Sequence, residues 1–185
     1  YNKTNSRGLI KHFEAINNSV NTPIILYNVP SRTGVNITPE NLKELSTLSN
    51  VVAIKEASGN ISQVVKMKAL CGDKIDIYSG NDDQAIPILS LGGKGVISVL
   101  ANIIPNAMHT MIKSYLNGDV KKALDLQLEN LKLSNTLFIE TNPIPIKTAL
   151  NLIGKDVGPL RLPLYEMSDS NLMKLKDTLK EYNLL

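Results

Sequence analysis

Cysteine and aromatic residues are scarce in this chain of 185 residues, which has one cysteine, no tryptophan and two phenylalanines. Because Cys71 is the single cysteine, no intrachain disulfide can form, which suits a reducing compartment, and we expect a cytoplasmic protein. No apolar run approaches the roughly 20 residues of a membrane-spanning helix, so we expect no membrane partner. The two histidines, His12 and His109, fall in helical patterns without a paired ligand, and we predict no metal site.

A strong excess of charge of one sign is also absent, since the net charge is +3 and the calculated pI is 8.9. The lysines and arginines are scattered instead of clustered on one face, so we expect no nucleic-acid partner. With 43% hydrophobic residues, the chain has the composition of a globular domain. Residues 1–5 read as the end of a structural element, and we expect the chain to be a fragment.

Four short apolar runs dominate the first part of the sequence, at residues 23–29, 51–55, 75–79 and 95–100. The most continuous of them are β-branched and lack polar alternation, which is typical of parallel strands covered on both faces. Amphipathic stretches of helical period lie between them. This alternation predicts βαβ units and a parallel sheet.

Beyond residue 100 only helical patterns follow, including one long helix predicted from Asp119 to about Phe138 and a last helix from Ser168. Four βα units cannot close an eight-stranded barrel, which takes roughly 250 residues. The pattern therefore fits either half of a barrel followed by a helical tail or a doubly wound open sheet.

Three polar residues follow the apolar runs where active sites of parallel α/β proteins lie. Lys55 ends a buried run, and a buried amine loses its proton more readily, which favours attack on a ketone to form an imine. Tyr27 ends the preceding run and could relay protons, and Arg32 lies in the following loop and could bind a carboxylate. Each residue could equally extend into solvent as an ordinary surface side chain.

Six segments, taken together, are far more specific than these single residues. They are YNVPSRTG at 27–34, AIKEASG at 53–59, SGND at 79–82, GGKGVISV at 92–99, NPIPIK at 142–147 and LRLP at 160–163. They resemble, in the same order, the motifs of the dihydrodipicolinate synthases, which are pyruvate-dependent lyases of the N-acetylneuraminate lyase family of class I aldolases. The chain departs from the family pattern at Ala53, where glycine is usual, and at Asn81, where aspartate is usual.

This resemblance implies an α/β fold, the (β/α)8 TIM barrel followed by a C-terminal helical domain. The chain would supply strands five to eight and would lack the N-terminal part of the family. The domains expected from it are residues 1–118, as the C-terminal half of the barrel, and residues 119–185, as the helical domain.

The resemblance also assigns catalytic roles. It implies that Lys55 forms the imine with pyruvate, that Tyr27 relays protons, and that Tyr1 is a second relay tyrosine which reaches into the neighbouring subunit across a tight dimer. The third relay residue of the family, a threonine, would lie in the missing N-terminal part. No cofactor is implied other than the covalent imine on Lys55.

The implied partners are the two substrates, pyruvate and L-aspartate-4-semialdehyde, and further copies of the chain in a tetramer of tight dimers. The product would be 4-hydroxy-tetrahydrodipicolinate, an intermediate of lysine (diaminopimelate) biosynthesis. Arg32 would bind the carboxylate of the semialdehyde, and Ile97 and Gly80 would line the pocket near pyruvate.

Two alternatives stay open at this point. One is a sister pyruvate aldolase, such as N-acetylneuraminate lyase, although the loop that contains Arg32 favours the synthase. The other is a non-catalytic half-barrel fragment, since we expect the chain alone to be inactive.

Overall fold

The computed structural model describes residues 2–185, and it divides between Ile97 and Ser98 into two compact units. The first unit contains the strands, and the second is helical. The boundary predicted from the sequence, after residue 118, separates the barrel from the helical domain and differs from this division into compact units. It stays a prediction. No helix within the described residues is long and apolar enough to cross a membrane.

The first unit contains a sheet of four parallel strands in the order β1-β2-β3-β4. The strands are β1 (Ile24–Asn28), β2 (Val51–Glu56), β3 (Asp76–Ser79) and β4 (Gly95–Val96). Successive strands are neighbours throughout, as in a barrel, and these strands contain none of the reversals in strand order found in a doubly wound sheet. The predicted α/β class with parallel strands is confirmed.

Helices follow the strands in the first unit and make up most of the second. In the first unit they are α1 (Ser6–Ser19), α2 (Pro30–Thr33), α3 (Pro39–Leu45), α4 (Ile61–Cys71) and α5 (Ala85–Ser90), with a 3-10 turn at Asp82–Gln84. In the second unit they are α6 (Pro105–Leu116), α7 (Val120–Glu129), α8 (Leu131–Thr136), α9 (Ile144–Leu152) and α10 (Asp169–Glu181), after a 3-10 turn at Leu100–Asn102.

Several helices begin where the sequence carries an N-cap residue. The hydroxyl of Thr38 accepts the N–H of Asn41 at 3.2 Å, and Pro39 occupies the first position of α3. Asp119 accepts the N–H of Lys122 at 3.1 Å in the same way. These contacts confirm that the predicted starts of α3 and α7 are correct.

Two predicted elements are shorter than the sequence suggests. The run at 95–100 contributes only Gly95–Val96 to the sheet, because the hydroxyl of Ser98 accepts the N–H of Ala101 at 2.8 Å and starts a 3-10 turn. The long helix predicted from Asp119 breaks at Asn130, where φ is −89° and ψ is 0°. The side-chain amide of Asn130 donates to the carbonyl of Leu126 at 2.8 Å, so it stabilises this break.

The two faces of the sheet differ in what they carry. Leu26, Ile54 and Ile77 are paired across β1, β2 and β3, and all three are buried in the apolar core. That core also contains Leu42 of α3 and Met67 of α4, so the helices cover this face. Because successive side chains of a strand alternate between faces, the residues next to these three point to the opposite face, away from the core.

Glu140 holds the start of α10 within the second unit. One carboxylate oxygen, Oε1, accepts hydrogen bonds from Asn171 Nδ2 at 2.9 Å, from Ser168 Oγ at 3.0 Å and from the Ser168 N–H at 3.1 Å. These hydrogen bonds, of which the one from Asn171 has the largest effect, hold the pKa of Glu140 below its ordinary value. The carboxylate therefore ties the N-terminal end of α10 to the segment that follows α8.

We expect Glu140→Gln to reduce the acid sensitivity of the chain. The lowered folded-state pKa means that ionised Glu140 stabilises the fold fully above its unfolded-state pKa, and that this contribution is lost as the pH falls through the folded-state pKa. Urea unfolding at a series of pH values checks this, with Glu166→Gln as the control for loss of a nearby charge. The same fall in stability on acidification in both variants would contradict the role of Glu140.

Candidate active site

Tyr27 and Lys55 are brought side by side by the pairing of β1 with β2. They are register partners near the carboxyl ends of these strands, on the face opposite the helix-covered core. The ammonium nitrogen of Lys55 lies 4.3 Å from the centroid of the Tyr27 ring, within the range of a cation–π contact. Tyr27 is 47% exposed and Lys55 is partly buried, so a small molecule can reach both.

Tyr78 completes a row of three residues, because it is the register partner of Lys55 on β3. It is not among the residues selected from the sequence. The signal that could have found it is positional: Tyr78 stands one residue before the end of its strand, as Tyr27 and Lys55 do on theirs. Lys55 is thus flanked by a tyrosine on each neighbouring strand.

Gly80 lies directly against Lys55. Its N–H donates to the carbonyl of Glu56 at 2.7 Å and continues the pairing of β3 with β2. A Cβ atom at this position would lie 3.2 Å from Cε of Lys55 and 2.7 Å from Cβ of Ala57. Glycine is therefore required here by the close approach of the lysine and its neighbours.

Ile97 and Arg32 lie at the same end of the sheet. The N–H of Ile97 donates to the carbonyl of Ser79 at 2.9 Å, next to Gly80, and its side chain is 40% exposed. Arg32 is exposed on the short helix α2, which directly follows β1 and ends at Gly34 with a left-handed φ of +67°. Tyr1, the remaining candidate, lies outside the described residues.

Two cavities lie near different parts of the chain. One of about 390 Å³ is bordered by Tyr27 and Asn28 on β1 and by His12 and Phe13 on α1. A larger one, of about 480 Å³, lies within residues 147–172 and contains none of the candidate residues. The geometry of the paired strands, not cavity size, therefore identifies the site.

The chemistry available at this edge of the sheet is that of an amine and phenols. Within residues 2–185 no group of three or more His, Cys, Asp or Glu side chains gathers in a way that could hold a metal ion. An amine that lies over an aromatic ring can attack a carbonyl once it is neutral, and a nearby phenol can donate or accept a proton.

We expect Gly80→Ala to destabilise the chain by about 1–3 kcal/mol, since the added methyl group overpacks the contact with Lys55 and Ala57. The matched control is Gly95→Ala on β4, where the added Cβ would meet only the Tyr78 ring at 3.6 Å, an ordinary contact. Urea unfolding of both variants measures the difference. Equal stability of the two would mean that the strand ends have room to move apart.

The chain is similar to curated proteins over almost its whole length. It is 64% identical over 183 residues to the 4-hydroxy-tetrahydrodipicolinate synthase of Clostridium novyi (strain NT), a match that covers 99% of this chain and 62% of that protein. It is also 64% identical to 4-hydroxy-tetrahydrodipicolinate synthase 1 of Clostridium acetobutylicum, over 100% of this chain and 63% of that protein. The chain thus spans under two thirds of the length of these relatives.

A solved structure shares the fold closely. The dihydrodipicolinate synthase of Aquifex aeolicus superposes with a TM-score of 0.96 and 41% identity, over 100% of this chain and 63% of that one. The family model described as "Dihydrodipicolinate synthetase family" matches residues 1–182. With its motifs in family order and the lysine beside the strand-end tyrosine, the chain belongs to the dihydrodipicolinate synthetase family.

Proposed function

We propose that this chain carries the imine-forming centre of a synthase that condenses pyruvate with L-aspartate-4-semialdehyde to 4-hydroxy-tetrahydrodipicolinate. The observation that carries the proposal is the Lys55 amine at a strand end, 4.3 Å from the ring of its register partner Tyr27. Membership of the family and the names of the relatives support it.

The proposed reaction begins at Lys55. Its neutral amine attacks the ketone carbon of pyruvate, and loss of water gives an imine. The imine draws electrons from the adjacent methyl group, which loses a proton to give an enamine. The enamine carbon then attacks the aldehyde carbon of the semialdehyde. Finally the amino group of that substrate attacks the imine carbon, which closes the ring and releases Lys55.

Tyr27 is the proposed proton carrier for these steps, since its phenol belongs to the side chain in contact with Lys55. General acid–base help of this kind typically contributes about 10²–10⁴-fold. Tyr1 is proposed as the second relay tyrosine, from a neighbouring subunit. Lys55 itself serves as the electron sink, so the proposal includes no metal or organic cofactor.

Arg32 is the proposed binding group for the carboxylate of the semialdehyde, because a guanidinium can form two parallel hydrogen bonds with a carboxylate. Gly80 and Ile97 line the pyruvate side of the pocket, and their contacts with the ends of β2 and β3 support this. We further propose a cytoplasmic homotetramer of tight dimers, in which the dimer contact brings Tyr1 to its neighbour's site.

The first experiment is reductive trapping: borohydride is added with pyruvate, and the modified peptide is mapped. It is done on this chain and on a chimaera in which the 185 residues replace the matching segment of the Clostridium novyi relative. We expect a pyruvyl adduct on Lys55 in the chimaera and its loss in Lys55→Ala. A folded chimaera without the adduct would refute the imine mechanism. Turnover of both substrates by the 185-residue chain alone would contradict our expectation that it is inactive.

The choice of aldehyde separates the synthase from a sister pyruvate aldolase that acts on sugar acids. We expect the chimaera to turn over aspartate semialdehyde in preference to sugar aldehydes. We also expect Arg32→Ala to raise the KM for the semialdehyde at least about tenfold, since a charge-assisted bidentate contact is lost, while the KM for pyruvate changes little. Steady-state kinetics with each aldehyde measures this, with Arg161→Ala as the matched control. Preference for a sugar aldehyde would refute the proposed substrate.

A further inference from the structure

A row of buried polar residues lies directly behind the row formed by Tyr27, Lys55 and Tyr78. Asn28, Glu56 and Ser79 are register partners at the ends of β1, β2 and β3, and each is at most 1% exposed. They lie on the helix-covered face, where the preceding row is apolar. On the helix-covered face, the side chains are therefore apolar in the row before Tyr27 and Lys55 and polar in the row after them.

Glu56 is the charged member of this row, and both of its carboxylate oxygens are hydrogen-bonded. Oε2 accepts from Nδ2 of Asn28 at 2.8 Å, and Oε1 accepts from the N–H of Ser58 at 2.6 Å. The first bond crosses from β2 to β1, beside the pairing of Lys55 with Tyr27. The carboxylate thus links the two strand ends from behind.

Asn28 extends this link to the chain that follows β1. Its Oδ1 accepts the N–H of Ile37 at 2.9 Å, and its Nδ2 also donates to Oδ1 of Asn36 at 2.9 Å. The amide of Asn36 donates in turn to Oε1 of Gln63, on α4, at 2.7 Å. Both ends of segment 29–36, which includes α2, are therefore fastened to the same network.

An apolar side chain at position 56 would cost less free energy to bury than Glu56 does. Taking a carboxylate out of water costs several kcal/mol, which its hydrogen-bond partners must offset. A buried network differs from an apolar cluster in being directional, since each donor must meet one acceptor at a fixed distance and angle. What Glu56 and Asn28 contribute beyond packing is therefore a defined geometry at the strand ends.

We propose that Glu56 is a positioning residue of the active site, which acts through Asn28 to hold segment 29–36 in place. Arg32 lies within this segment, and Tyr27 and Lys55 are the chain neighbours of Asn28 and Glu56. The inference rests on the proposed function for what these side chains do. Glu56 does not touch substrate; it sets where Arg32 stands relative to the imine.

Glu56→Gln tests the network at nearly constant volume. The glutamine has one acceptor oxygen for two donors, Asn28 Nδ2 and the Ser58 N–H, so its own NH₂ must face one of them. Turning the Asn28 amide over does not help, because its NH₂ would then face the N–H of Ile37. The single variant therefore breaks the network whichever way its amide is turned.

The double variant Asn28→Asp with Glu56→Gln exchanges the two groups and supplies the rescue. The carboxylate introduced at position 28 on β1 would accept two hydrogen bonds, one from the N–H of Ile37 and one from the NH₂ of the amide introduced at position 56 on β2. The oxygen of the amide at position 56 would still accept the N–H of Ser58. Asn36 can turn its amide over to donate to the new carboxylate, provided that Gln63 turns its own amide over as well. The two amides, which now donate to each other at 2.7 and 3.1 Å, then still exchange a pair of hydrogen bonds. The matched control for loss of a carboxylate is Glu40→Gln, at an exposed position of α3.

Two quantities are measured in the chimaera: amide hydrogen exchange in segment 29–37 and the KM for the semialdehyde. Hydrogen exchange is also measured in the 185-residue chain. In Glu56→Gln we expect faster amide exchange in segment 29–37 and a rise of at least about tenfold in the KM for the semialdehyde, while borohydride still traps pyruvate on Lys55. The double variant should return both readouts most of the way to the parent, and Glu40→Gln should change neither.

A folded Glu56→Gln variant with unchanged exchange in this segment overturns the inference. So does a variant that is less stable but keeps the parent KM, because Glu56 would then be structural only. Failure of the proposed function gives a different result, in which the parent chimaera itself traps no pyruvate. In that case the exchange data, with their rescue by the double variant, still decide whether Glu56 positions the segment.

Discussion

The parallel pairing of β1 with β2 is the contact on which the candidate site depends. Its register places Tyr27 opposite Lys55 and, one residue further, Asn28 opposite Glu56. A shift of one residue would move every side chain of a strand to the other face, so Lys55 would enter the apolar core and Glu56 would leave its partners. The apolar row on the core face makes such a shift costly, because Leu26 and Ile54 would lose their burial.

Packing and chemistry are thus divided between the two faces of one sheet. The core face is covered by α1, α3 and α4, while the other carries the amine and the phenols. At the strand ends, the buried polar row of Asn28, Glu56 and Ser79 lies on the core face, one residue beyond the row of Tyr27, Lys55 and Tyr78. The chain neighbours of Tyr27 and Lys55 are thus held by hydrogen bonds instead of by mobile surface contacts.

Several features were predictable from sequence for local reasons. Lys55 and Tyr27 each follow an uninterrupted apolar run, and in a parallel sheet the ends of such runs meet at one edge. Thr38 and Asp119 start helices because their side chains satisfy backbone N–H groups within three residues. The break at Asn130 was not predicted because asparagine is tolerated inside helices, and the sequence pattern does not distinguish such a residue from one that ends a helix.

The sequence by itself determined the family and the alternation of strands and helices, and it predicted Lys55 as the reactive lysine, because these depend on local pattern and on motifs in order. Only the tertiary structure decided that Tyr78 flanks Lys55 on its second side, that Gly80 must lack a side chain, and that Glu56 bonds Asn28 across the strands. The physical reason is separation along the chain. Asn28 and Glu56 are 28 residues apart, and the register that joins them is set by the packing of whole strands on the core.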